Sequence, residues 1–166
     1  MEPYNWAQFT TRIPVKASRQ SLYDAWATRK GIEHWFLRTS EYRSPDGVLR
    51  KNDEHVQAGD QYMWQWEGWP DEVKEEGTII ACNGKDHFKF SFGDAGVCDV
   101  RIVEESNQTI VELIQTQIPI DEHGKHYWHL GCKTGWTFHL TNLKSIFEGG
   151  HDLRNKDKSI KNVVNA

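Results

Sequence analysis

Apolar and polar positions alternate along much of this chain, and where the alternation stops a three- and four-residue period replaces it. Phe9, Thr11, Ile13 and Val15 alternate with Thr10, Arg12, Pro14 and Lys16, the pattern of a half-buried strand. Pro14 has no amide to donate, so this strand belongs at a sheet edge or turns its proline outward. Ser18 has the side chain of a helix N-cap, and Leu22, Tyr23, Ala25 and Trp26 give the helix after it an apolar side. Thr28 opens a second short helix that turns Ile32, Trp35 and Phe36 inward.

A run of strands follows. Residues 38–43 form one, closed by the turn Ser44-Pro-Asp-Gly47. In 61–67, Tyr62, Trp64 and Trp66 share a face. Residues 73–82 form the next strand, its polarity broken at Glu75-Glu76-Gly77, and Asn83-Gly84 turns it back as a hairpin. Phe88, Phe90 and Phe92 alternate with Lys89 and Ser91. Residues 93–96 turn the chain before Cys98, Val100 and Ile102, and 106–108 turn it before 109–118, where Val111, Leu113 and Gln115 share a face. The period then changes: Cys132, Trp136, His139, Leu140, Leu143, Ile146 and Phe147 lie on one side of a helix. Gly149-Gly150 stops it after Glu148, and residues 122–128 carry it back a further turn or two. Gly131 and Gly135 inside it each cost about 1 kcal/mol relative to alanine. They mark either close packing or a kink, or a groove opened beside Trp136.

Helices segregated from a meander imply an α+β fold. The expected architecture is a curved antiparallel sheet of six to seven strands wrapped around one long C-terminal helix. It forms a single domain over 1–154, with a polar tail over 155–166.

Composition narrows the classes. Eight Trp, seven Phe and five Tyr in 166 residues suggest a bulky apolar interior, an aromatic-walled cavity, or both. A net charge of −4 without a basic block argues against nucleic acid. No run approaches the length of a membrane span. The first residues lack the basic start and apolar run of a signal peptide. Three widely spaced cysteines speak against a disulfide framework and for a reducing cytoplasm.

The order of elements resembles the helix-grip fold of the START/SRPBCC superfamily, which includes the birch-pollen-allergen and lipid-transfer domains. Val15-Lys-Ala-Ser18, Leu22-Tyr-Asp-Ala-Trp26, Gly31-Ile-Glu-His-Trp-Phe36, Gly59-Asp60, Glu76-Gly77, Gly135-Trp136 and Leu140-Thr-Asn-Leu-Lys-Ser-Ile-Phe-Glu-Gly-Gly150 are similar to its heat-shock-protein-90 ATPase activator-like (AHSA-type) branch. The resemblance spans residues 9–154. It implies an apolar ligand between sheet and long helix, and catalysis in only a few members. The chaperone activators carry a further N-terminal domain for which this chain has no room, so a chaperone partner is a rival expectation.

The expected site is a pocket between helix and sheet. Trp26, Trp35, Tyr62, Trp64, Trp66, Phe90, Val100, Leu113 and Trp136 form its walls, with Gly135 leaving space. Gln115 and His129 are its polar handles, and Cys132 and His139 lie on the same helix face. Against it stands a solid core built from the same residues. His139 is expected as a hydrogen-bonded core histidine. His123, His126, His129 and Cys132 step by three, which rotates each away from the last, and match no familiar zinc spacing. Cys132 beside His129 has the look of a nucleophile, but a buried cysteine is commonly inert. Asp60, Glu67, Glu75, Glu76 and Glu112 are scattered carboxylates, and Lys74-Glu75-Glu76 is expected as a solvated strand end. No nucleophile elbow, phosphate loop or dinucleotide fingerprint occurs. No metal or cofactor is implied. The resulting expectation is non-enzymatic binding of a small apolar or amphipathic ligand. The alternatives are a chaperone-associated module stimulating an ATPase, a hydrolase or cyclase using the cavity, and a structural protein with a filled interior.

Overall fold

In the computed structural model, which describes residues 3–160, 163 and 164, two hydroxyls set the starts of the first helices. Ser18 Oγ accepts from the Ser21 amide at 3.1 Å, and Thr28 Oγ1 from the Gly31 amide at 2.9 Å. They cap α1 (Arg19–Ala27) and α2 (Arg29–Trp35), satisfying amides that a helix start leaves open. Gly31 lets the two helices meet. A Cβ there would strike the Asp24 carbonyl and the Ala25 backbone.

The strands are β1 (Phe9–Pro14), β2 (Thr39–Arg43), β3 (Gln61–Gln65), β4 (Glu75–Cys82), β5 (His87–Ser91), β6 (Val97–Glu105) and β7 (Gln108–Thr116). They form one sheet in the order β1-β7-β6-β5-β4-β3-β2, every neighbouring pair antiparallel. Six of them are a meander. β1 joins its far side by pairing Phe9 with Gln115 and Ile13 with Val111, so Pro14 does lie in an edge strand. Ser106 and Asn107, both at positive φ (50° and 62°), make the two-residue turn between β6 and β7. The β4–β5 loop is organised by one side chain: Asn83 Oδ1 accepts from the amides of Lys85, Asp86 and His87.

The long helix covers the inner face. α3 (Gly131–Phe147) buries Trp136, His139, Leu140 and Leu143 against Trp64, Ile79, Phe88, Phe90, Val100, Val111 and Leu113 in one apolar cluster. Its last turn closes at Gly149, φ 81°, with the Gly150 amide on the Ser145 carbonyl at 2.7 Å. The α+β class, the sheet and the long helix are as expected. The start of the helix is different in kind: Gly124–Leu130 is π-helical, a wider winding that sequence period does not announce. Gly131 follows it directly, and a Cβ there would meet nothing within 4 Å. Close packing therefore does not explain that glycine.

The chain after α3 returns to the fold. Asn142 Nδ2 donates to the Trp35 carbonyl at 2.6 Å, and its Oδ1 accepts from the Leu153 amide at 2.7 Å. The buried guanidinium of Arg154 donates to the carbonyls of Glu33, His34 and Leu37 at 3.1, 3.0 and 2.9 Å. It thereby satisfies the acceptors left open at the end of α2. Of the expected tail over 155–166, positions 161, 162, 165 and 166 lie outside the described residues, as do residues 1 and 2 of the expected domain.

Candidate functional site

Tyr62 and Trp64 are two residues apart on β3, so both face the helix. Their rings stack at 4.0 Å. Gly77, opposite Tyr62 on β4, makes room for this, because a Cβ at that position would come within 2.6 Å of the Tyr62 ring and hydroxyl. The Tyr62 hydroxyl donates to the Ser91 carbonyl at 2.6 Å. The remaining aromatic walls meet each other. Ring centroids are 4.6 Å apart for Trp26–Trp35, 5.9 Å for Trp26–Trp136, 5.0 Å for Phe36–Trp136 and 5.1 Å for Trp64–Phe90. Val100 and Leu113 are buried beneath them.

The expected polar residues divide. Gln115, fully buried, accepts from Trp136 Nε1 and donates to the Ala95 carbonyl, both at 2.9 Å. Its amide is thus engaged with the protein's own groups. His129 is turned to the N-terminal segment: Nδ1 donates to the Trp6 carbonyl at 2.8 Å and Nε2 meets the Tyr4 hydroxyl at 2.9 Å. Its ring packs edge-on against Trp6 and Phe9. His139 is buried against Phe36 at 4.7 Å, but the hydrogen bond expected of it is missing at Nδ1, which has no partner among the described residues. Burial first, and then the charge of Arg154, push its pKa down to about 3. Trp26 Nε1 is a second buried polar atom without a partner among the described residues, a donor left open amid rings.

Towards one end the inner face is less completely covered. Trp66, Phe92, Cys132 and Gly135 keep partial exposure there. Phe92 lies 5.5 Å from Trp136, and Trp66 6.3 Å from Phe36. Glu75 joins them, correcting the expectation of a solvated strand end. Its register partner is Trp64, and directly opposed residues of an antiparallel pair point to one side of the sheet. Only Glu76, beside it, faces outward, where it pairs with Lys74 at 2.7 Å. Sequence pattern misses Glu75 because a charged residue on an inner face breaks the alternation that locates that face.

Catalytic pairings do not form among these groups. Asp60 is buried in a two-pronged pair with Arg50, both contacts at 2.9 Å, and Glu112 pairs with Arg12 at 2.9 Å. Burial pushes the thiols of Cys98 and Cys132 up from their ordinary value, which keeps them protonated and poorly nucleophilic. His123 stacks on Tyr127 at 5.1 Å. Among the described residues no group of three His, Cys, Asp or Glu is placed to hold a metal ion, and no helix is long and apolar enough to cross a membrane. A half-open groove of about 340 Å³ lies on the outer side of the sheet, between Glu41, Arg43, Gln61, Met63 and Glu76. Its charged walls are paired internally, Arg43 with Glu41 and Lys74 with Glu76.

The model of the family described as "Activator of Hsp90 ATPase homolog 1-like protein" matches residues 16–148. Solved structures of similar fold include a protein of Staphylococcus saprophyticus, with a TM-score of 0.68 and 18% identity over 89% of this chain and 96% of that one. The Aha1 dimer from Colwellia psychrerythraea has a TM-score of 0.65 at 16% identity, over 86% and 97% of the two chains. An AHSA1-like protein from Aeromonas hydrophila follows with 0.57 at 16% identity, over 86% and 92%. No curated protein sequence matches the chain.

Proposed function

This chain belongs to the Activator of Hsp90 ATPase homolog 1-like protein family, and from that premise we propose that it binds a small amphipathic molecule, without transforming it, at the open end of the helix grip. One observation carries the reading. Trp66, Phe92 and Cys132 are partly exposed apolar residues packed against the core, and the half-buried carboxylate of Glu75 lies on the same face. An apolar concave surface with one polar group is the usual form of a small-molecule site. The His–Asp pairs of the described residues, His55 with Asp24 and His87 with Asp99, do not involve Glu75 or the residues around it, which supports binding over catalysis. The three free cysteines suit work in a reducing cytoplasm.

A second reading, a module that contacts a chaperone of the Hsp90 class, draws on the family's description and on Ile120, Tyr127 and Leu130. These stand 64%, 60% and 45% exposed near the start of the long helix. Native mass spectrometry of the protein isolated from its own source tests the first reading. A retained small molecule, released on denaturation, is expected. Apo mass alone, together with saturable stimulation of the host chaperone's ATPase at micromolar protein, would reverse the order of the two.

A further inference from the structure

We propose that the molecule bound at the open end is an organic cation, an alkylated or protonated amine, held by the Glu75 carboxylate beside the partly exposed rings of Trp66 and Phe92. The inference rests on the ligand-binding reading and specifies the chemistry of its ligand.

Glu75 differs from the paired carboxylates in facing inward without a partner among the described residues. Asp60, Glu76, Glu112, Asp99 and Asp152 each have a cationic partner. Glu75 has neither hydrogen bond nor ion pair among the described residues, although register turns it inward beside fully buried Trp64. Its carboxylate lies beside Gly93. A Cβ on Gly93 would come within 2.6 Å of Glu75 Oε1 and 3.2 Å of Oε2, so the carboxylate rests against that turn, where φ is +47°. Removal from water, with Asp94 and Glu76 nearby, raises its pKa. Those are the conditions under which a positive ligand gains most, by supplying a missing counter-charge.

The neighbours select the kind of cation. An ammonium group beside aromatic faces gains cation–π attraction, most strongly when desolvated. A metal ion needs several hard oxygen ligands, and no group of three candidate ligands exists among the described residues. An anionic ligand, or a neutral one without a hydrogen-bond donor, would cover the carboxylate and leave it unpaired, which is unfavourable.

The test titrates the full chain, by its tryptophan fluorescence, with choline and with 3,3-dimethylbutan-1-ol, in which carbon replaces the charged nitrogen. Choline is expected to bind about tenfold more tightly, and Glu75→Gln to bring the two probes to similar affinity. Glu76→Gln, on the outer face, is expected to keep the preference. Equal binding of both probes by the parent protein, or a preference that survives Glu75→Gln, overturns the cation assignment and leaves the ligand reading standing. Binding of neither probe, with no retained mass in the native protein, removes both. Cosedimentation with phosphatidylcholine vesicles, without response to free choline, would overturn the small-molecule form of the proposal.

Discussion

Trp136 Nε1 and Gln115 Oε1 lie 2.9 Å apart in the buried interior, joining the long helix to the C-terminal end of β7. Gln115 passes the connection on, since its Nε2 donates to the Ala95 carbonyl in the β5–β6 turn. Replacing Gln115 with leucine leaves a buried donor and a buried acceptor open, each costing about 1–3 kcal/mol. We expect Gln115→Leu to lose about 2–4 kcal/mol by urea denaturation. Adding Trp136→Phe should cost less than the sum of the single changes, because the donor that needed Gln115 is then gone. Strict additivity would mean that the hydrogen bond contributes little.

His139 predicts a pH dependence. Its folded pKa is pushed down to about 3 from an ordinary 6.5, so the unfolded chain binds the proton first as pH falls. Stability from this residue is fully present above about pH 6.5 and declines towards pH 3, with a slope of at most about 1.4 kcal/mol per pH unit. Because only the parent loses this stability, its melting temperature should fall relative to that of His139→Leu as pH drops below about 6.5. Parallel curves would show that the histidine does not titrate as its surroundings require.

Much of the fold follows from local pattern. Tyr62, Trp64, Phe88, Phe90, Val100 and Leu113 fall on the inner face because alternation puts them there, and Ser18 and Thr28 cap the helices their chemistry suggests. What the pattern does not carry is long-range polar pairing. His129 is committed to Tyr4 and Trp6, more than 120 positions away, and a histidine in a helical stripe carries no mark of such a partner. The π-helical winding of Gly124–Leu130 depends on hydrogen bonds that a period of side chains does not determine. Glu75 was concealed by its own charge, and its direction emerges only from the pairing with Trp64.

Arg154 lies just beyond the helix, and its guanidinium serves three carbonyls at the end of α2 as well as Asp152. Arg154→Met should keep the packing of the stem but leave those acceptors open, at about 2–4 kcal/mol. Hydrogen exchange should quicken first at the amides of Phe36 and Leu37, both bonded to the Ile32 carbonyl. Unchanged exchange there, with lost stability elsewhere, would remove Arg154 from the role of helix cap.

The open end itself is tested most directly at Gly135, partly exposed on α3 beside Trp136. Leucine there improves helix propensity by up to about 1 kcal/mol and puts an apolar side chain where a ligand would sit. The decisive measurement is a Nile red titration, followed by a thermal melt, of the parent protein and Gly135→Leu. The account predicts saturable dye uptake by the parent, loss of that uptake in the variant and a higher melting temperature. If the parent binds no dye and the leucine lowers the melting temperature, by the roughly 1–3 kcal/mol that overpacking costs, the interior is solid at that end and the site does not exist.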